Sequence, residues 1–171
     1  LECSGNSRPM YGATPPALTC GQVHGMVSCS EWTGIPLRIL LEEAGADLRA
    51  PWILAEGADS AAMSRSVPMA KAMDDAFLAL YQNGERLRPE NGYPVRLFLP
   101  GYEGNMSVKW LRRIKVAPTP TMTKDETSKY TDLQTDGKAL MFTFPMEVKS
   151  VITRPSPGLT LRGAGLYELS G

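Results

Sequence analysis

The chain has 171 residues, 43% of them hydrophobic and 21% charged, enough for one ordinary domain with a sizeable core, or for one domain and part of another. Its 18 Lys and Arg balance 18 Asp and Glu, so no net charge draws it to nucleic acid or to an anionic membrane surface. No run approaches the ~18 consecutive apolar residues of a membrane span, no signal peptide opens the chain, and a start on Leu-Glu-Cys leads us to expect a fragment.

Taken in order, the chain opens with Cys3 at a predicted strand end, followed by Ser4-Gly5-Asn6. Gly5 and Asn6 tolerate tight-turn geometry, so the backbone beside the thiol can curl around a bound group, and Arg8 offers a cationic fork to an anion. Read alone, Cys3 is equally a packing thiol or a functional one. Cysteines at 3, 20 and 29 cannot all pair, so at least one is free or ligates something. Cys20 and Cys29 could bridge in an oxidising compartment and otherwise read as reduced core residues. Pro9, Gly12, Pro15, Pro16 and Gly21 predict an irregular loop over 9–22, and Val23 to Trp32 is apolar enough to cross the core.

Pro36 to Ala44 reads as a helix stopped by Gly45, with Leu37, Leu40 and Leu41 on one face. Trp52 to Glu56 reads as a short buried strand ending at the corner Gly57-Ala58-Asp59-Ser60, where Asp59 either caps the turn or accepts hydrogen bonds from a heterocycle. Ser66 to Met73 is expected to be a short helix. Ala76 to Tyr81 is a predicted strand, Asn83-Gly84 a hairpin turn returning through Glu85-Arg86-Leu87, and Pro89 to Gly92 a second turn. The strand Tyr93 to Gly101 carries Arg96 among apolar neighbours, an expensive placement that demands an anion. In the next strand, Ser107 to Val116, Lys109 precedes Trp110 and is either a snorkelling surface side chain or a phosphate ligand. Pro118 to Asp136, with Tyr130 as its aromatic residue, reads as a linker or extended loop, and the short alternating runs from Ala139 onward have the cadence of a β-sandwich.

Together, Glu2-Cys3-Ser4-Gly5-Asn6, Gly57-Ala58-Asp59-Ser60, Asn91-Gly92-Tyr93-Pro94-Val95-Arg96 with Leu99-Pro100-Gly101, and Ser107-Val108-Lys109-Trp110-Leu111 resemble the sulfite oxidase family of molybdopterin enzymes. Arg88 to Pro94 and Pro100 to Asn105 look most like its bacterial sulfur-dehydrogenase branch. The resemblance implies an α+β fold: the C-terminal part of a molybdopterin-binding domain of mixed sheets and short helices over 1–117, an extended linker over 118–145, and the first strands of an immunoglobulin-like dimerisation domain over 146–171. It implies a molybdenum-molybdopterin cofactor with Cys3 as thiolate ligand of the metal, a role suited to a soft sulfur donor. Asp59 and Asn91 would hydrogen-bond the pterin. Arg96, Ser107, Val108 and Lys109 would hold its phosphate end. Arg8 and Tyr130 fall beside the substrate pocket as catalytic groups.

The implied activity is oxidation of sulfite or carrier-bound sulfane sulfur by oxygen-atom transfer. Electrons would pass to a c-type cytochrome on a separate chain, since no Cys-x-x-Cys-His is present. A periplasmic homodimer is implied, assembled through the truncated C-terminal domain, with no nucleic-acid partner and no membrane span. A sulfoxide-type reductase on the same fold and a metal-free interaction module are the alternatives. Many members carry two arginines after the Cys-containing run, but the first is Ser7 here, and the usual histidine before Gly-Tyr-Pro is Asn91. That leaves His24, the one histidine in the sequence, as a structural residue.

Overall fold

Alternating and continuous apolar runs build two larger antiparallel sheets, beside one two-stranded ribbon, in the computed structural model, which describes residues 1–14 and 16–171. Pro15, one of the breakers of the expected 9–22 loop, lies outside the described residues. In the first sheet, strand β4 (Phe77–Gln82) is flanked by β1 (Trp32–Pro36) on one side. On its other side it pairs with β6 (Arg96–Phe98) and with β5 (Glu85–Arg86). Asn83 and Gly84, at φ 52° and 78°, close the β4–β5 hairpin with the left-handed geometry that this dipeptide supplies at low cost. The second sheet has the order β3 (Ser64–Pro68), β2 (Trp52–Gly57), β7 (Leu111–Ala117). Central β2 is buried from Ile53 to Gly57, which explains its apolar run from Trp52 to Ala55. Glu56 interrupts that run because Arg112 and Arg113 on β7 grip its carboxylate at 2.5 and 2.8 Å and hold it below the usual carboxylate range.

Helix α2 (Leu37–Glu43) packs Leu37 and Leu41 into the core, one turn apart, each burial contributing about 1.5–3 kcal/mol. Leu40, expected on the same face, is 43% exposed, because it lies about 100° around the helix from its neighbour Leu41. Ser66 to Met73 divides into two elements: β3 ends at Pro68, and the helix α3 (Met69–Asp74) starts only after it. Val67 and Met69 are both buried, so a strand-to-helix switch mimics one amphipathic helix in the sequence. Val23 to Trp32 does not cross the core. Val23 is buried at the end of α1 (Cys20–His24), but Met26, Val27 and Cys29 are exposed along an edge segment whose Val27 bridges Glu2. Cys20 is half-buried and all the cysteines are free, so neither Cys20 nor Cys29 is a core residue.

The 118–136 stretch is more ordered than an extended loop, since it holds α4 (Lys124–Ser128) and β8 (Thr131–Leu133), which pairs with β9 (Ala139–Met141). A capping box between Thr123 and Glu126 starts α4. The buried Glu126 carboxylate also accepts from the Ser66 amide at 2.5 Å and the Ser66 hydroxyl at 3.2 Å, nailing α4 to β3. Phe142 and Phe144 then return to the core, where Phe144 stacks on Tyr102 at 5.3 Å. Among the described residues no strand forms over 146–171, so the expected opening strands of a sandwich are not seen there. Arg154 and Ser170 form an isolated bridge, and Val148, Leu166 and Leu169 are exposed. The fold is mixed α+β, as expected, and no described helix is long and apolar enough to cross a membrane.

Candidate functional site

The short 3₁₀ turn Pro89–Asn91 aligns a set of cations. Its successive carbonyls accept hydrogen bonds from successive positions around one cavity: Trp110 Nε1 to Pro89 at 2.8 Å, Lys109 Nζ to Glu90 at 2.9 Å, and Arg96 Nη1 to Asn91 at 3.1 Å. Arg96 Nη2 donates to Ser107 O at 2.7 Å, and its guanidinium lies 5.1 Å from the Trp32 ring centre. No carboxylate pairs with Arg96 or Lys109 among the described residues. Arg96 is only 6% exposed, its Nε has no partner, and burial pulls its pKa down to about 10. A buried cation held by neutral acceptors, with a donor unspent, is the electrostatic half of an anion site.

Arg96, Lys109, Asp59, Ser107 and Val108 line a cavity of about 180 Å³. Asp59 spends one oxygen on the Met63 amide at 3.1 Å, closing its turn. A shallower depression of about 390 Å³, lined by Tyr93 and Leu111, shares Asp59 and Trp110 with the cavity and extends it. Gly57 sets the floor's shape. A Cβ there would lie 2.7 Å from Lys109 O and 2.8 Å from Asp59 Oδ1, so we expect Gly57→Ala to cost about 1–3 kcal/mol in thermal unfolding, through overpacking at two cavity residues.

The Glu2–Cys3 backbone lies against Gly104, the first residue of the Gly104–Met106 turn. Gly104 lines the cavity and donates its amide to Glu2 O at 2.6 Å, so the cavity wall is stitched to the residue beside the thiol. The Cys3 side chain is exposed, and the Asn6 amide closes a turn onto Cys3 O at 2.9 Å. Asn6 itself is buried and clamps the loop, donating to Glu2 at 2.8 Å and accepting from Met26 N at 3.0 Å. Arg8, exposed, folds its guanidinium back over Gly5. Tyr130 follows α4 and is close enough for the Cys3 thiol to influence its ionisation; burial, the largest cause, raises its pKa.

The cavity therefore brings together Asp59, Arg96, Ser107, Val108 and Lys109, while Cys3, Arg8 and Tyr130 lie outside its lining. The Asn91 side chain is not brought in: its amide donates to Gln82 at 2.7 Å, and only its carbonyl reaches Arg96. His24 accepts or donates with the Ser7 hydroxyl at 2.7 Å, a contact that fits a structural role. Sequence reasoning missed Arg65. This β3 residue is 2% exposed, lies 4.8 Å from the Tyr130 ring centre, donates from Nε to Met106 Sδ at 3.0 Å and leaves Nη1 without a partner. Its environment lowers its pKa through burial, opposed by Glu126 and Glu103. The available signal was an arginine inside Ser64-Arg65-Ser66-Val67-Pro68, once that run is read as a strand.

Among the described residues, no cluster of three or more His, Cys, Asp or Glu could hold a metal by itself. The donor set instead fits a metal that arrives within an anionic cofactor: one exposed cysteine thiol, then the half-buried Lys109 and the buried Arg96 with an unpartnered guanidinium nitrogen.

Comparisons with known proteins agree with this geometry. The sequence matches the family described as "Oxidoreductase molybdopterin binding domain" over residues 1–124. It is similar to the "Sulfane Dehydrogenase SoxCD" crystal structure from Paracoccus pantotrophus, with a TM-score of 0.87 and 47% identity, covering 94% of this chain and 41% of that one. It is 38% identical over 131 residues to the NADH nitrate reductase of Spinacia oleracea, covering 70% of this chain and 14% of the relative. It is also 37% identical over 126 residues to the NADPH nitrate reductase of Phytophthora infestans, covering 68% and 14%. The chain thus spans about a seventh of these curated relatives. A family match over most of its length, with relatives 37–47% identical, means that this chain belongs to the oxidoreductase molybdopterin-binding domain family of sulfite-oxidase type, whose cofactor is molybdenum-molybdopterin.

Proposed function

We propose that the protein containing this chain oxidises inorganic sulfur, either sulfite or sulfane sulfur on a carrier protein, and passes electrons to a c-type cytochrome on a separate chain. The observation that carries the reading is the buried Arg96, with an unspent donor, in a cavity stitched through Gly104 to the Cys3 segment. The sulfane dehydrogenase likeness over 94% of the chain supports sulfur as substrate. We extend the reading to a periplasmic homodimer, with the exposed Val148, Leu166 and Leu169 in the segment proposed to dimerise.

Bound molybdenum supplies two-electron redox chemistry coupled to oxygen-atom transfer. Cys3 is its protein ligand. Arg96 and Lys109 neutralise the cofactor's phosphate end, with Ser107 and Val108 beside it, while Asp59 and the Asn91 carbonyl fix the pterin end and the Arg96 fork. On the substrate side Arg8 offers a cation to the sulfur oxyanion, and the Tyr130 hydroxyl donates a hydrogen bond as charge develops. Arg65, stacked on Tyr130, holds its ring in place. We expect Arg65→Met to lower kcat about 10- to 100-fold with little change in KM, as measured by steady-state kinetics.

The test compares cytochrome c reduction by the full-length holoprotein with sulfite and with carrier-bound sulfane sulfur. Reduction with either supports the reading. If neither donates electrons and nitrate or a sulfoxide instead reoxidises the reduced centre, a reductase replaces it.

A further inference from the structure

The turn that displays Cys3 is braced by a cation from late in the sequence. Lys149 Nζ pairs with Glu2 Oε1, and Asn6 Nδ2 donates to that same oxygen at 2.8 Å. A carboxylate oxygen only accepts, so the amide nitrogen of Asn6 faces Glu2, which leaves Asn6 Oδ1 to accept from Met26 N at 3.0 Å. Cys3 lies between Glu2 and Asn6 in the chain, and its own N–H donates to Met26 O at 3.0 Å. One run of contacts, Lys149 to Glu2 to Asn6 to Met26, therefore fixes both flanks of the residue that carries the thiol.

Lys149 arrives at Glu2 along a held path. Phe144 O accepts from Glu103 N at 2.8 Å, Pro145 bridges Tyr102, and Met146 N donates to Gly101 O at 2.8 Å, so residues 144–146 run beside 101–103. Gly104, next in that stretch, gives its N–H to Glu2 O, and a Cβ on it would come within 2.9 Å of that oxygen. The 101–104 stretch thus holds the segment leading to Lys149 and also the Glu2 backbone. The Glu2 side chain is 19% exposed and that of Lys149 37%, so water screens the pair only in part. Lys149 is the one side-chain cation paired with Glu2 among the described residues. Groups that hold a metal ligand from behind decide how its donor atom is presented.

We propose that Glu2 is a positioning residue for the Cys3 ligand and that Lys149 fixes Glu2, so that the segment after 146 sets how the thiol meets the metal. This rests on reading Cys3 as the ligand. The test uses the full-length holoprotein and measures the rate of molybdenum loss in mild denaturant, together with the electron paramagnetic resonance g values of the singly reduced metal, which respond to the orientation of its sulfur ligand. Lys149→Met and Glu2→Gln should each release molybdenum about threefold faster and shift the g values. The double variant should be no faster than either single one, since both break the same pair. Lys149→Arg keeps the charge and should restore the wild-type rate. Wild-type release and g values in Lys149→Met overturn the proposal. So does faster release with unchanged g values, which assigns Lys149 to stability alone, and so do additive effects in the double variant. If Cys3→Ser keeps the wild-type number of sulfurs around molybdenum, the ligand reading itself fails; if it loses one while Lys149→Met behaves as wild type, only this assignment fails.

Discussion

Cys3→Ser in the full-length protein should hold less molybdenum while leaving the fold intact, with turnover down by more than about a hundredfold, beyond the loss typical of residues that only support a ligand. The thiol is exposed, and the turn around it is held by backbone bonds, Cys3 N to Met26 O at 3.0 Å and Asn6 N to Cys3 O at 2.9 Å, which serine retains. Stability should therefore stay near wild type. A serine hydroxyl is a harder donor that stays protonated near neutral pH, so it replaces a thiolate poorly on a soft-ligand site. Pterin should persist at reduced occupancy, because the opposite end is the one we propose Arg96 and Lys109 to hold. Metal analysis and kinetics on one preparation check this. Full molybdenum with full turnover would remove Cys3 from the metal.

Arg96→Met should fail at the other end of the cofactor. Its guanidinium is buried, joined to Asn91 O and Ser107 O, and keeps Nε free. Truncating one partner of a buried hydrogen-bonded charge pair costs about 2–5 kcal/mol, so cofactor retention should fall roughly 30-fold or more. The pKa gives a second readout of definite sign. A cation whose folded pKa is depressed to about 10 opposes folding while charged, and the penalty lifts as pH rises through that value, where the native state binds fewer protons than the unfolded chain. In cofactor-free protein the Arg96 contribution to stability should therefore improve above about pH 10, and Arg96→Met should lack that rise. Denaturant melts of both proteins across this range measure it.

The parts of the fold legible in the sequence were those whose signal is local. Asn83-Gly84 forces a hairpin through its own backbone preferences, and the continuous run at 52–57 marks a strand buried on both faces. Where tertiary context decides, the reading failed. Ser66-Val67-Pro68-Met69 fits both a strand-to-helix switch and a helix, and β2 pairing settles it as the former. Helix α4 spans only Lys124–Ser128 and has no apolar stripe; its anchor is a carboxylate, Glu126, buried because Ser66 satisfies it. Thr123 and Glu126 nevertheless carried the capping-box spacing.

The site divides in the same way. An arginine inside an apolar strand announces its need for an anion, so Arg96 was readable from cost alone. Asn91 was placed with the pterin-binding side chains, yet its side chain turns to Gln82 and its carbonyl contacts Arg96; a backbone role leaves no trace in residue type. Arg65 became visible only through an unpartnered atom, Nη1, which depends on three-dimensional neighbours.

We propose Cys3 as the protein sulfur ligand of the molybdenum cofactor. Molybdenum K-edge absorption on the full-length protein tests it most directly. Molybdenum should be present, and Cys3→Ser, loaded to measurable occupancy, should have one sulfur fewer around the metal. An identical sulfur shell in both proteins, or an active wild type without molybdenum, would contradict it.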